Sequence, residues 1–345
     1  MKGTLVALDH LDGREAAALM VDGRLQDLLI APESDAPPVP GSVFRAVFDR
    51  PMKGQGGAIV RLPNGSGFLR QSKGLAPGQS LLVQVTGYAE PGKAVPVTAK
   101  VLFKSRYAIV TPFARGLNIS RSIRDDVRRD ELLVIAHDEM QDVAFGLILR
   151  SACEDADEVD IAEDIAAMRD QAAQILQDGD GKTAKLLLEG PTPHALAWRD
   201  WDQPDLVANQ SGSFEDHGVL DAMDALMHVD VPLSSGASLY VEPTRALVAV
   251  DVNTGADTSP AAGLKANLAC ARELPRQLRL RGLGGQVTID FAPMAKKERR
   301  TVENALRSAF RADVIETALV GWTPLGHYEL QRKRERLPVR DAIAG

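Results

Sequence analysis

The spacing of apolar and polar positions changes character along the chain. Residues 1–35 alternate with the two-residue period of strands, through LVALDH, AAALMVDG and RLQDLLIAPE, with Asp22–Gly23 as a hairpin turn signal. The step APPVPG at 36–41 reads as a linker. Short alternating runs then recur from 41 to 103: SVFRAVFDR, GGAIVRLP, GSGFLRQ, SLLVQVTGY and AVPVTAKVLF. Gly and Pro punctuate them at intervals of about ten residues, which predicts a small antiparallel barrel of five strands. The period becomes helical after the acidic run EDADEVDIAED at 154–164, whose carboxylates suit the first turns of a helix, and again in GVLDAMDALMH from 218. Last comes a continuous apolar run, Ala246–Val250, a helical pattern over 261–283, and a second run, Gln286–Ile289. Runs without alternation predict strands covered on both faces. Gly284 and Gly285 read as the end of the helix, and Pro275 within it predicts a bend near Leu274. Strands and helices in this mixed order make an α/β chain, more closely an α+β protein of several modules.

Both apolar strands end in an aspartate, Asp251 and Asp290. Carboxylates at one edge of an α/β sheet lie where such proteins place ligands. A pair of hard oxygen donors suits Mg²⁺, which binds through one or two carboxylates and keeps several waters. Asn253 follows Asp251 by two residues and in an extended chain points the same way, toward a phosphate or a metal-bound water. On spacing alone, a pair of strand-end turn residues explains the same pattern.

Composition narrows the class more than the chemistry. The chain has 345 residues, 45% hydrophobic and 25% charged, the make-up of an ordinary globular protein. Its N-terminus is too broken by charge to read as a signal peptide or membrane span, and its two cysteines, Cys153 and Cys270, form no CxxC pair, so a cytoplasmic protein without a zinc site is expected. The net charge of −7 hides an asymmetry: residues 154–260 carry 5 Lys/Arg against 22 Asp/Glu, and residues 261–345 carry 16 against 9. Local patches set the attraction for phosphate. Arg272, Arg276 and Arg279 share one helix face by spacing, either toward a phosphate backbone or toward solvent. His194 and His217 have no partners at fixed spacing and read as structural.

The strings LVAVDVNTG, NLACARELPRQLRLRGLGGQVTIDF and RRTVENALRSAF, in that order, closely resemble the catalytic region of the ribonuclease E/G family. The resemblance implies a Mg²⁺-dependent endoribonuclease that cuts single-stranded RNA to five-prime phosphate and three-prime hydroxyl ends. It puts Asp251 and Asp290 on the metal-binding aspartates and Asn253 on the residue that positions the scissile phosphate. It implies an RNase H-like subdomain split between 1–38 and 181–217, an inserted OB-fold RNA-binding module at 39–104, a five-prime sensor region at 105–180 and a DNase I-like catalytic subdomain at 218–345. KTAKLLLEGPTPHALAWRDW is expected to return to the N-terminal sheet. Phe68 matches an RNA-stacking aromatic, while Ile59 stands where a second would be. KSRYAIVTPFARGLNISRSIRDD and VAFGLILRSACEDADEVD resemble the sensor, with Arg150 and Ser151 on the pair that grips a five-prime monophosphate and Arg121 and Arg124 as supporting cations. Lys296 and Lys297 are expected near the RNA backbone, and Lys53, Lys73 and Lys93 are loop cations. The chain ends before the family's zinc-linking cysteines and scaffold tail, so a short form is implied, whose homodimer would need no zinc link. The alternative is a catalytically weak or inactive RNA-binding relative, which Ile59, Pro275 and the trimmed 181–217 stretch favour.

Overall fold

The computed structural model describes every residue except 1, 34, 35, 53, 55, 91, 344 and 345, so Lys53 lies outside the described residues. The chain divides into two compact units, one made of 1–35 with 204–345 and the other of 36–203. Among the described residues, no helix is long and apolar enough to cross a membrane.

The first unit opens with a meander of β1 (Thr4–Leu11), β2 (Arg14–Val21) and β3 (Arg24–Ile30). Two-residue turns join the strands, Asp12–Gly13 and Asp22–Gly23. All four residues have positive φ (51°, 77°, 49° and 75°), the backbone that lets a tight hairpin follow the strand twist.

The second unit is entered at β4 (Val43–Met52), followed by β5 (Gly57–Leu62), β6 (Gly65–Leu69), β7 (Ser80–Val85) and β8 (Val95–Thr98). The pairings β4–β5–β6–β8–β7 close back on β4, a five-stranded barrel consistent with an OB-like fold. The closure requires β6 and β8 to run parallel, so the barrel is not wholly antiparallel as the sequence suggested. Inward positions fill it with Phe44, Val60, Leu62, Leu69, Val83, Val85, Val95 and Val97. A second sheet follows, made of β9 (Phe103–Lys104), β10 (Ala108–Thr111), β11 (Leu117–Ile119) and β12 (Gly146–Leu149) in the order β11-β12-β10-β9. The helices α1 (Asp126–Met140) and α2 (Glu158–Asp178) contribute Leu132, Ala136, Ile161, Ile165 and Ala172 to the core shared with this sheet. The acidic run does open α2: Asp157 caps it by accepting from Val159 N (2.8 Å). The strand in KTAKLLLEG, β13 (Lys185–Leu188), pairs with β4 of the barrel and not with the N-terminal sheet. The helix α3 (Pro193–Asp200) closes the unit.

The return to the N-terminal sheet is made by β14 (Leu206–Ala208), parallel to β1. Next, α4 (Ser213–Asp216) is tied to that sheet because the Asp9 carboxylate accepts from Phe214 N (2.9 Å). Then come α5 (Val219–Met227), β15 (Asp230–Pro232), β16 (Ser238–Pro243), β17 (Val248–Asn253), α6 (Ala262–Leu280), β18 (Gly285–Asp290), α7 (Arg299–Ala312), β19 (Thr317–Trp322), β20 (Tyr328–Arg332) and α8 (Val339–Ile343). The last sheet has the order β15-β16-β17-β18-β20-β19, and only β17–β18 is parallel. The helix α6 is the crossover between those two strands; with α7 it covers one face, over Val248, Val250, Val252, Val287 and Ile289. The opposite face is only partly covered. The run Ala246–Val250 looked two-sided because its solvent-side residue, Ala249, is small and apolar.

The helix α6 continues across Pro275 and ends earlier than expected, at Leu280. The terminator is Gly282 (φ +66°): Leu283 N donates to Leu278 O (2.8 Å) and Gly282 N to Arg279 O (3.1 Å), the paired bonds of a Schellman cap. Arg276 and Arg279 do not form an outward basic face. Arg276 Nε donates to Leu25 O (2.8 Å) and Arg279 Nη2 to Gln26 O (2.7 Å), so both clamp α6 to β3. Arg279 also pairs with Asp313, whose other partner is Arg332 at 2.6 Å; the Asp313 and Arg332 side chains are 1% and 0% exposed. Asp313→Ala removes the counter-charge of a guanidinium that has no access to water. It should destabilise the first unit by about 3–5 kcal/mol, read as a lowered urea midpoint against wild type.

Candidate functional site

The parallel pairing of β17 with β18 runs Val248↔Val287, Ala249↔Thr288, Val250↔Ile289 and Asp251↔Asp290. Asp251 and Asp290 are therefore direct lateral neighbours at a strand spacing of about 4.8 Å. Strand alternation sends Val250, Val252 and Ile289 under the helices and leaves Asp251, Asn253 and Asp290 exposed on the opposite face. Among the described residues, no Lys or Arg forms an ion pair with either carboxylate; the imidazole of His327 is near, with Nε2 3.8 Å from Asp290 Oδ1. Like charges side by side on a sheet repel, and a divalent cation is the group whose binding removes that repulsion. Two exposed carboxylates with no Lys or Arg paired to them among the described residues fit the few protein oxygens that Mg²⁺ takes while keeping its waters.

The side chain of Asn253 is fixed by its own turn. Gly255 N donates to Asn253 Oδ1 (2.9 Å), so the amide oxygen is used and the Nδ2 hydrogens remain to donate outward. Gly255 itself has φ +63°, and a Cβ there would lie 2.1 Å from Gly236 O. The exit from β18 is held as firmly. Asn267 of α6, fully buried, donates to Ala292 O (2.9 Å) and accepts from Ala292 N (3.0 Å), which pins the backbone two residues past Asp290. A Cβ on Gly263 would lie 2.1 Å from Pro293 O, so the first turn of α6 sits directly on that exit loop.

The other residues expected to serve the site are spread over both units. In the first, Lys296 and Lys297 are exposed on the single turn that precedes α7, while Arg299 lies over the Trp322 ring (4.6 Å). In the second, Phe68 points outward from β6, half-buried, with Ile59 on β5 and Pro96 on β8 directly beside it. These three make an apolar strip on the outside of the barrel. Arg121 and Arg124 are exposed in the segment before α1. Arg150 closes β12 and its guanidinium is largely engaged: it donates to Asp200 Oδ1 (2.9 Å), Ser105 O (2.5 Å) and Arg199 O (2.9 Å). Ser151 is exposed at the start of the following turn.

Sequence reading missed three neighbours. Tyr240 lies opposite Asp251 on β16, so the row Tyr240–Asp251–Asp290 crosses three strands. Counting back across the hairpin closed at Thr244–Leu247 would have found it. Asn267 was legible as one of two amides, with Gln277, in the apolar stripe of α6. His327 had no such signal, because it depends on how the loop after β19 folds back: Thr323 N donates to His327 O (2.8 Å).

A sequence profile of the Ribonuclease E/G family matches residues 103–208 and 197–335. Ribonuclease E of Nostoc sp. is 26% identical over 391 residues, covering 97% of this chain and 56% of that protein. Ribonuclease E of Synechocystis sp. is 29% identical over 318 residues, with 80% and 46% covered. Ribonuclease G of Escherichia coli strain K12 is 27% identical over 307 residues, with 77% and 62% covered. The chain spans about half the length of the curated relatives it matches.

The repulsion between Asp251 and Asp290 has a measurable consequence. In EDTA at low salt, Asp251→Asn should raise the thermal midpoint slightly, by less than about 1 kcal/mol in stability; added Mg²⁺ should stabilise wild type and not the variant. A metal-free midpoint that falls, with the Mg²⁺ response intact, would contradict the pairing.

Proposed function

The chain belongs to the ribonuclease E/G family, and on that premise we propose that it is a Mg²⁺-dependent endoribonuclease that cleaves single-stranded RNA, leaving five-prime phosphate and three-prime hydroxyl ends. The observation that carries this reading is the register of Asp251 against Asp290 on the open face of the last sheet. When bound, Mg²⁺ supplies an acidified water and neutralises charge on the attacked phosphate. In this chain Asp251 and Asp290 would hold the ion. Asn253, with its oxygen occupied by Gly255 N–H, offers amide hydrogens to a phosphate oxygen. Lys296 and Lys297 attract the backbone of the strand.

In the same reading Phe68 stacks a base on the outer face of the barrel. Arg150 and Ser151 favour RNA with a five-prime monophosphate: the guanidinium is held in place by Asp200, and the hydroxyl donates one hydrogen bond. Arg121 adds positive charge to this region. The modules correspond to an RNase H-like subdomain, completed by β14, an OB-fold module, a sensor region and a DNase I-like catalytic subdomain. The matching role is RNA processing or decay in the cytoplasm.

With a five-prime monophosphorylated single-stranded oligonucleotide and saturating Mg²⁺, Asp251→Asn and Asp290→Asn should each slow cleavage by about 1,000-fold or more, the several kcal/mol a catalytic metal supplies. Undiminished cleavage in either variant, or by wild type in EDTA, would sink the proposal. Arg150→Ala should cut the rate ratio of monophosphorylated to five-prime hydroxyl RNA by about tenfold, as expected for loss of a charge-assisted hydrogen bond. The ratio is read from paired time courses on the two oligonucleotides.

A further inference from the structure

In the second unit, Trp198 is 69% exposed on α3. A tryptophan left this open withholds one of the largest apolar surfaces a side chain can bury. One ring face is not open: the Arg106 guanidinium lies over it at 4.7 Å from the centroid. Arg106 comes from the loop between β9 and β10 and is itself fixed, donating to Trp198 O and to Trp201 O (3.2 Å). The indole and the guanidinium therefore form a braced pair whose free face meets solvent.

The surroundings are cationic. Arg199, next to Trp198 in the helix, pairs with both oxygens of Asp200 (3.1 and 2.7 Å), and Arg150 shares that carboxylate at 2.9 Å. Arg150 also donates to Ser105 O, one residue before Arg106. Asp164 accepts from Ser105 Oγ (2.5 Å) and Tyr107 N (2.9 Å), and a further carboxylate, Asp202, is exposed two residues after Asp200. Three guanidiniums, those of Arg106, Arg150 and Arg199, thus gather beside a flat aromatic surface. A braced aromatic next to clustered guanidiniums fits a ligand that is flat and apolar at one point and anionic at the next, which describes a nucleotide unit of a single strand.

We propose that Trp198, backed by Arg106, is a stacking platform for one base of single-stranded RNA, set beside the Arg150–Asp200–Arg199 cluster. The proposal rests on the ribonuclease reading for the identity of its ligand. Trp198 supplies the π-face, Arg106 holds the ring and adds charge, and the arginine cluster favours the neighbouring phosphate.

The test uses the full chain carrying Asp251→Asn, so that binding is measured without cleavage. Affinity for a three-prime fluorescein-labelled single-stranded RNA is read by anisotropy at low salt. Trp198→Ala should weaken binding about fivefold or more, since a stacked base contributes about 1–3 kcal/mol, while Trp198→Phe keeps most of the affinity. The fold-loss should be equal on five-prime monophosphate and five-prime hydroxyl RNA, which separates the platform from the terminal grip assigned to Arg150 and Ser151. Unchanged affinity in Trp198→Ala overturns the platform. So does a loss as large in Trp198→Phe, a loss seen only with the monophosphate, or an effect confined to self-association in sedimentation, which would mark a protein contact. Absence of RNA binding by the parent protein overturns the ribonuclease reading itself, a distinct outcome.

Discussion

Asp251 faces Asp290 across a parallel strand pair, and most of the first unit is arranged so that this unfavourable neighbourhood persists. Two carboxylates in lateral register repel, and neither is paired with a lysine or arginine among the described residues. Such a pair survives because the apolar side chains on the other face, not the carboxylates, set the register. The hydrophobic faces of β17 and β18 are locked under α6 and α7 by Val248, Val250, Val252, Val287 and Ile289. A slip of one residue would turn those valines to solvent and the aspartates into the core. The apolar side of the sheet thus holds the charged side in place.

The ends of the strands are fixed by a few specific contacts. Asn267 clamps Ala292 from both sides, Gly263 lets α6 lie against Pro293 O, and Gly255 allows the turn that orients Asn253. The Asn267 clamp satisfies backbone groups of Ala292 that would otherwise be left without partners beside a buried helix. Arg276 and Arg279 serve the same end from the far side of α6, where they bind the carbonyls of Leu25 and Gln26. Their charge is therefore structural, whereas Lys296 and Lys297, six and seven residues after Asp290, stay exposed. The second unit uses the alternation of its strands differently. Its barrel is closed and filled, so the outward positions Ile59, Phe68 and Pro96 are free to be apolar without a core to enter. Two of its arginines, Arg150 and Arg199, share one carboxylate, Asp200, which braces both.

Much of this was written in local pattern. The Asp–Gly turns, the five short barrel strands, the acidic opening of α2 and the strand–helix–strand order around Asp251 and Asp290 follow from periodicity and turn chemistry, which act over a few residues. Because alternation is local, it also showed that Asp251 and Asn253 share a face. Closure of the barrel was less legible: the parallel β6–β8 pairing joins strands separated by β7, and no local period records which strand lies beside which. Similarly, β13 carries the pattern of a strand, but its partner β4 is far away in sequence. The end of α6 falls before the glycine pair Gly284–Gly285 because Gly282 takes the positive φ and carries the Schellman bonds, and several nearby glycines offer the same local signal.

What the sequence determined by itself was the inventory: two strands ending in aspartate, an asparagine on the same face, a crossover helix of the right length, and residue strings that mark the ribonuclease E/G family. What only the tertiary structure decided was adjacency. Asp251 meeting Asp290 residue for residue, Tyr240 and His327 joining them, Arg150 engaging Asp200, and Arg106 lying over Trp198 all depend on contacts between segments far apart in the chain. Those contacts are selected by the burial of apolar faces over whole sheets, a collective energy that no single stretch of sequence contains.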